Sequence, residues 1–402
     1  MLQCQTFIEQ LNNNGLQFFT GVPDSLLSSF SAWLMDYRED NHIIAANEGN
    51  ALAIGVGHYL ATGNIPVIYM QNSGIGNAVN PMASLLHKDV YQIPALWIVG
   101  WRGQPNTKDE PQHVFQGKAT IAMLEQLQIQ VEVLSSDETE ASTQISRAVS
   151  YMKETKQPFA FVVKKNTFCE YHSEKQTHTT AFPLTREEAI QTILESIEKD
   201  SLIVSTTGKA SRELFELREA QKENHNKDFL TVGSMGHASS IALGVARETD
   251  RKVYCIDGDG AALMHMGAMA VIAQQKQKNL VHIVINNGCH ESVGGQPTVA
   301  FSIDMEQIAK GCGYERVVTC TTKEEIKQVL KQQKLKQQKL KQQGLKQQES
   351  KQQMLEQKNL LDKDDKTTWI QIMVKQGSRS DLGRPTIPAK ENKENFMREI
   401  MG

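Results

Sequence analysis

Two sets of six short apolar runs, rich in β-branched residues, recur along this chain with helical patterns between them. The first set reads LQFFTGVPD, HIIAANEG, IPVIYMQNSG, ALWIVGWRG, VEVLSS and PFAFVVKK. The second reads SLIVSTTG, FLTVGSMG, KVYCIDGDG, LVHIVINNG, ERVVTC and TTWIQIMV. Strands that alternate with helices make βαβ units, and the strands of such units lie parallel. The runs are continuously apolar instead of alternating, as in sheets covered on both faces. Each half therefore predicts one α/β layer domain with a six-stranded, mostly parallel sheet flanked by helices. The join falls in NTFCEYHSEKQTHTTAFP, residues 166–183, which is polar and aperiodic. The predicted organisation is a first domain over 1–170, a linker over 171–184, a second domain over 185–378 and a tail over 379–402. Thr185 and Glu188 have the spacing of a capping box ahead of the apolar stripe Ile190, Ile193, Leu194 and Ile197.

Composition narrows the function classes. The chain has 402 residues and a formal net charge of -3, which gives no general case for nucleic acid or an anionic membrane surface. Cys4, Cys169, Cys255, Cys289, Cys312 and Cys320 are scattered without a C-x-x-C pair, the pattern of reduced thiols in a cytoplasmic protein. The opening MLQCQTFIEQLNNNG has no basic region followed by an apolar stretch, so no secretory signal is expected. Nor is a membrane span expected, since no run of about 18 apolar residues occurs.

One segment departs from the rhythm. From Lys327 to Lys358 the chain is almost entirely Lys, Gln and Leu, with leucines at 330, 335, 340 and 345. Five residues turn a helix by about 500°, so these leucines spiral around it and form no stripe. A coiled coil, with its period of about 3.5, is thereby disfavoured. The segment reads as a solvated, partly helical insert whose helix Thr322 and Glu325 cap, and it is assigned no chemistry.

The chemistry gathers at two strand ends. KVYCIDGDG runs into Asp259 between Gly258 and Gly260, and a helix is predicted from Ala261 to Gln275. In open parallel sheets ligands sit at the carboxyl ends of strands, where helix N-termini present free N–H groups suited to phosphate. A carboxylate at that place repels phosphate unless a cation lies between them, and Mg²⁺ takes one or two carboxylates plus substrate phosphates. Asn287 follows Asp259 by 28 residues, about one βαβ unit, so its side-chain oxygen arrives at a neighbouring strand end. The backbone carbonyl of Cys289 is a third candidate ligand. A D-G-D-G turn alone is common, and a plain tight turn fits it too.

The pairing of Gly258-Asp259-Gly260 with Asn286-Asn287 resembles the signature of the thiamin-diphosphate-dependent 2-oxo acid decarboxylases. The likeness covers nearly the whole chain apart from the Lys/Gln-rich insert. It implies an α/β fold of two thiamin-diphosphate-binding-fold domains, pyrimidine-binding first and diphosphate-binding second, with thiamin diphosphate and Mg²⁺ as cofactors. Glu48 in AANEGNALAIGVG matches the glutamate that contacts N1′ of the aminopyrimidine. A carboxyl buried there can share a proton with a ring nitrogen, although a helix-start Glu is also favoured by the helix dipole. TVGSMGHASS resembles the segment in which a glycine carbonyl (Gly233) accepts from the 4′-amino group and a bulky apolar side chain (Met235) props the cofactor. Met235 fits as core filler as well. Thr206, Thr207 and Gly208 are candidates for a diphosphate contact, together with Gly258, Gly260 and Ala261. Asn72 and Ser73 are candidates on the pyrimidine side.

Within that family the short arrangement, with TGVPDSLL, KDEPQH and NNGCHESVGGQPT, looks most like the phosphonopyruvate decarboxylase branch, and next like the sulfopyruvate decarboxylases. That implies loss of CO₂ from a small-molecule 2-oxo acid while the cofactor's thiazolium serves as electron sink. Proton-transfer candidates are Asp24, His113 and His290, although a lone histidine is more often structural. Arg102, Lys108, the Ser292–Thr298 turn and Arg384 are candidates for a distal anionic group. The resemblance also implies a homo-oligomer, at least a dimer, with the site at the interface, and no nucleic-acid or membrane partner.

Overall fold

The computed structural model of the chain describes residues 1–173, 182–331 and 366–402. They form two compact units, Met1–Thr177 with His290–Pro297 and His178–Cys289 with Thr298–Gly402.

The first unit is built on β1 (Phe19–Gly21), β2 (His42–Ile44), β3 (Val67–Gln71), β4 (Leu96–Gly100), β5 (Gln130–Val133) and β6 (Phe159–Val163). All pairings are parallel, in the order β2-β1-β3-β4-β6-β5. The apolar runs are continuous because both faces are covered, and strand parity sorts them. Tyr69, Ile98 and Phe161 join one buried cluster with Phe7, Phe30 and Ile145. Their neighbours Ile68, Met70, Trp97 and Val162 join another with Leu52, Ile75 and Leu124.

The second unit repeats the plan with β7 (Leu202–Ser205), β8 (Asp228–Leu230), β9 (Val253–Gly258) and β10 (Leu280–Asn286). After β10 the chain forms a short ribbon of β11 (Cys289–His290) and β12 (Gln296–Pro297), whose residues His290–Pro297 belong to the first unit, and it then gives the second unit β13 (Arg316–Cys320) and β14 (Thr368–Met373). The six-stranded sheet, β13-β14-β10-β9-β7-β8, is again parallel throughout. The expected α/β fold with two six-stranded sheets is thus the observed one.

Each order contains a point where successive connections leave in opposite directions: between β1 and β3 in the first sheet, between β7 and β9 in the second. Crevices at such points are where open α/β sheets bind ligands. Glu188 and Thr185 close the predicted capping box, and Thr322 accepts from Glu325 N–H at 3.2 Å to start the helix over 323–331. The Lys327–Lys358 insert enters that helix and otherwise lies outside the described residues.

One helix differs from expectation. The single helix predicted from Ala261 to Gln275 is two, Asp259–Met264 and Gly267–Gln274. His265 breaks it, with φ -130° and ψ 48°, and its ring packs against His237 at 4.5 Å between centroids. Periodicity carries no signal for this break, because the residues on either side are equally apolar. Among the described residues no helix is long and apolar enough to cross a membrane.

β8 is an edge strand, and exposed edges leave backbone groups unpaired. The helix Ala389–Met401 covers it: Asn392 donates to Asp228 O at 2.8 Å and accepts from Leu230 N–H at 3.1 Å. Asn392→Ala strands both backbone groups in the interior. It should lower the unfolding free energy by about 2 kcal/mol, read by denaturant titration; an unchanged midpoint would show that water replaces the amide.

Candidate active site

In the first unit, Glu48 opens the helix Glu48–Thr62 one residue after its cap, Asn47, whose side chain accepts from Asn50 N–H at 2.9 Å. Only 5% of Glu48 is exposed. Its Oε2 accepts from Asn77 Nδ2 at 2.7 Å. The space around Oε1 exists because residue 74 is glycine: a Cβ there would lie 2.2 Å from that oxygen.

Asp24 follows β1 and is fully buried. Its carboxylate accepts from Leu26 N–H at 3.0 Å and from Gln71 Nε2 at 2.6 Å. Burial pushes this carboxyl above its usual range, against the opposing pull of Gln71 and of the Arg102 charge. His113 is buried in the helix Pro111–Gln126, and burial, then the Arg102 charge, lowers its pKa.

Two candidates of this half hold other parts of the chain. Asn72 donates from Nδ2 to Arg102 O at 2.8 Å and to Thr120 Oγ1 at 2.9 Å, so its amide ties two strand-end loops together. Ser73 is exposed and donates to Gln71 Oε1 at 2.8 Å. Arg102 gives Nε and Nη2 to Asp109 at 2.9 and 2.5 Å and Nη1 to Ser25 Oγ at 2.8 Å. Its guanidinium holds Asp109 well below the usual carboxylate range and is thereby spent on a fold partner. Lys108 and Arg384 are exposed.

In the second unit, Asp259 is the first residue of its helix and 3% exposed. Its carboxylate accepts from Thr298 Oγ1 at 2.5 Å and from the backbone N–H groups of Gly260 and Asn287. Burial still drives its pKa up to about 6. Gly258 has φ -111°, which any residue adopts, and a Cβ there would meet open space. Its glycine therefore serves no turn; it leaves room beside the acid.

Behind that strand end Asp257 accepts from Gly258 N–H at 2.9 Å. It meets His282 Nε2 at 3.3 Å, whose Nδ1 meets the Tyr314 hydroxyl at 3.0 Å. On β10, Asn286 accepts from Gly288 N–H at 3.0 Å, while its Nδ2 is buried without a partner. Asn287 Oδ1 accepts from Cys289 N–H at 3.2 Å, and both residues are buried.

Thr206 is buried, Thr207 Oγ1 accepts from Gly233 N–H at 3.0 Å, and Gly208 takes φ 92° just ahead of the helix Lys209–Ala220. Gly233 and Gly236 have φ 70° and 84°, so the loop carrying half-buried Met235 turns in a way that side chains resist. Ala261 is buried in the turn after Asp259. His290 is half-buried, and burial pushes its pKa down to about 4.

Asp259, Asn287 and Cys289 lie together, the acid accepting from Asn287 N–H and Asn287 Oδ1 from Cys289 N–H, and a carboxylate with two carbonyl oxygens would suit a hard divalent cation. An unpartnered buried amide and open space at Gly258 adjoin them, so the residues fit a cation and an anionic group. Sequence reading passed over Gln71, Gly74, Asn77 and the Thr298–Asp259 bond. Gln71, Gly74 and Asn77 lie in the same MQNSGIGNAVNP stretch as Asn72 and Ser73, at a strand end where every polar residue is a candidate.

Residues 4–124 match the thiamine pyrophosphate enzyme, N-terminal TPP binding domain, and residues 206–341 match the corresponding C-terminal TPP binding domain. The chain belongs to the thiamine pyrophosphate enzymes. It is 29% identical to the phosphonopyruvate decarboxylase of Streptomyces viridochromogenes, over 98% of this chain and 94% of that protein. The enzyme of that name from Streptomyces hygroscopicus gives 29% over 98% and 93%. The sulfopyruvate decarboxylase of Methanosarcina acetivorans gives 29% over 81% and 87%. The chain is a thiamin-diphosphate-dependent decarboxylase, and its two domains bind that cofactor.

Two outcomes follow from this geometry. Gly74→Ala drives a methyl into Glu48 Oε1, and turnover should fall at least about tenfold, the scale of a misplaced proton-transfer group, with folding intact by circular dichroism. Full activity would mean that Glu48 relaxes without consequence. The Asp259 carboxyl has a folded pKa above its unfolded value, so its contribution to stability is present below about pH 4 and lost as pH rises through about 6. Without added cation, the melting temperature of the wild type relative to Asp259→Asn should fall across that window. A flat difference would show the acid to be solvated.

Proposed function

We propose that this enzyme decarboxylates 3-phosphonopyruvate to 2-phosphonoacetaldehyde and CO₂, with Mg²⁺, in a phosphonate biosynthetic route of the 2-aminoethylphosphonate type. The observation that carries the reading is similarity to two phosphonopyruvate decarboxylases along 98% of the chain. Both halves of the expected site, Glu48 in one unit and Asp259 with Asn287 in the other, are present with it. Thiamin diphosphate, when bound, supplies the electron sink that accepts the bonding pair as CO₂ leaves.

This chain's residues do the rest in the proposed reading. Asp259, Asn287 Oδ1 and the Cys289 carbonyl would hold Mg²⁺, which would offset the diphosphate charge, and Thr206, Thr207 and Gly208 would be further contacts of the diphosphate. Glu48 meets N1′ of the aminopyrimidine and holds a proton there, while Gly233 and Met235 support the cofactor. Asp24, His113 and His290 move protons to and from the reacting carbon. The lowered pKa values of both histidines leave them neutral near pH 7, able to donate from one ring nitrogen and accept at the other. Arg102 is engaged by Asp109, and the Ser292–Thr298 turn, Lys108 and Arg384 are the other candidates for the phosphonate.

A second reading, sulfopyruvate as substrate, is favoured by the match to the archaeal sulfopyruvate decarboxylase. CO₂ release from phosphonopyruvate, sulfopyruvate and pyruvate decides between them: the proposal requires the largest kcat/KM with phosphonopyruvate and falls if sulfopyruvate exceeds it. Asp259→Ala should abolish Mg²⁺-dependent cofactor binding by calorimetry, since neutral ligands alone do not offset the diphosphate charge.

The active unit is proposed to be at least a homodimer, Glu48 of one copy serving with Asp259 of another. Glu48→Gln and Asp259→Ala chains, each inactive, should regain activity when mixed and exchanged, because each mixed dimer then holds one intact site. Exchange confirmed by mass without recovered activity would place each site within a single chain.

A further inference from the structure

Asp24 follows β1 beside the switch point of the first sheet and contacts the ends of β3 and β4. On the β4 side it lies over Gly100, where a Cβ would stand 2.1 Å from Oδ2. On the β3 side Gln71, the last residue of that strand, donates to Oδ1 at 2.6 Å. The charged group facing Asp24 is Arg102, from the segment after β4. Asp109 holds that guanidinium in two places, with Glu110 beyond it, so its charge reaches Asp24 partly cancelled. The close partners of the acid are therefore neutral: the Gln71 amide and the backbone N–H of Leu26.

A neutral amide can present either end. Here the carboxylate, which only accepts, takes the NH₂ end, and Gln71 Oε1 accepts from Ser73 Oγ at 2.8 Å. Turned over, the amide would set its oxygen against the acceptor-only carboxylate and lose that bond, while the Ser73 hydroxyl can donate to or accept from either end. Ser73, which is exposed, thus tethers the side chain that donates to a fully buried acid.

We propose that Gln71 is a positioning residue for the reaction: pinned by Ser73, its amide fixes the direction of the Asp24 carboxylate and so readies it for proton exchange. The role in the reaction rests on the decarboxylase reading of Asp24; the contact does not. Without that donor the buried acid keeps only the backbone N–H groups of Leu26 and Ser25. The acid then takes up a proton more readily and is free to rotate.

The test uses Gln71→Met, which keeps the volume and removes the donor, and Ser73→Ala, which keeps the donor and frees the amide. Gln71→Met should lower kcat for CO₂ release by about ten- to a hundredfold at neutral pH, the worth of a hydrogen bond to a charged group. Cofactor affinity should not change. The acid limb of the pH–rate profile should move to higher pH, and Ser73→Ala should move it less in the same direction. In an Asp24→Asn background Gln71→Met should add less than about twofold, since coupled residues are not additive. An equal loss at every pH, or an undiminished loss in that background, overturns the proposal.

The melting temperature of the protein alone, followed against pH, separates the two readings. The difference between wild type and Asp24→Asn reports proton uptake at Asp24, and Gln71→Met should shift that difference to higher pH. If it stays in place, the proposal fails whatever the substrate. If it shifts but the wild type turns over no 2-oxo acid, the contact stands and the decarboxylase reading of the site fails. Should Gln71→Met not fold, Ser73→Ala at its exposed position carries the same measurements.

Discussion

A carboxylate buried at the end of a parallel strand needs room and a donor, and this chain meets both needs the same way three times. Asp24 lies over Gly100 and accepts from Gln71. Glu48 lies against Gly74 and accepts from Asn77. Asp259 follows Gly258 and accepts from Thr298. Gly74 and Gly100 keep space clear against Glu48 and Asp24, Gly258 leaves open space at its strand end, and each of these donors is a neutral amide or hydroxyl. A lysine or arginine in contact would have satisfied the charge more strongly, but it would also have held the carboxylate in a closed ion pair. Neutral donors orient an acid without cancelling its charge, so the acid stays available to a cation or a proton.

The cations of the first half follow the same logic in reverse. Arg102 stands near Asp24, yet its fork is taken by Asp109 and its remaining arm by Ser25. It contributes a long-range field and closes no salt bridge with Asp24. That field and burial act together on His113, lowering its pKa, while burial alone raises Asp24 past what its donors take back. Two titratable groups in one unit are pushed toward their neutral forms, a common preparation for acid–base work near neutral pH.

Parallel sheets make these constellations possible by delivering every strand to one edge. Asp24, Gln71 and Gly100 come from the ends of three strands, distant in sequence and adjacent in the sheet. In the second unit the ends of β7, β9 and β10 bring Thr206, Asp259 and Asn287 to the corresponding edge. Thr298 then returns to the acid, donating to it from Oγ1 while its N–H bonds to Gly288 O at 2.9 Å.

Twelve continuous apolar runs were enough to determine two six-stranded parallel sheets, because a strand covered on both faces has no polar side to alternate with. The spacing of Asp259 and Asn287 was legible too, since one βαβ unit carries a strand end to its neighbour's. Tertiary structure alone decided the rest. No local pattern announces that His265 breaks a helix, that Asn72 turns inward to Arg102 O and Thr120, or that Arg102 is bound by Asp109. Nor does any pattern link Gln71 to Asp24 across 47 residues. Strand periodicity depends on which face is buried, a property of each residue and its near neighbours. The direction of a polar side chain depends on which donors and acceptors the finished fold brings within about 3 Å of it.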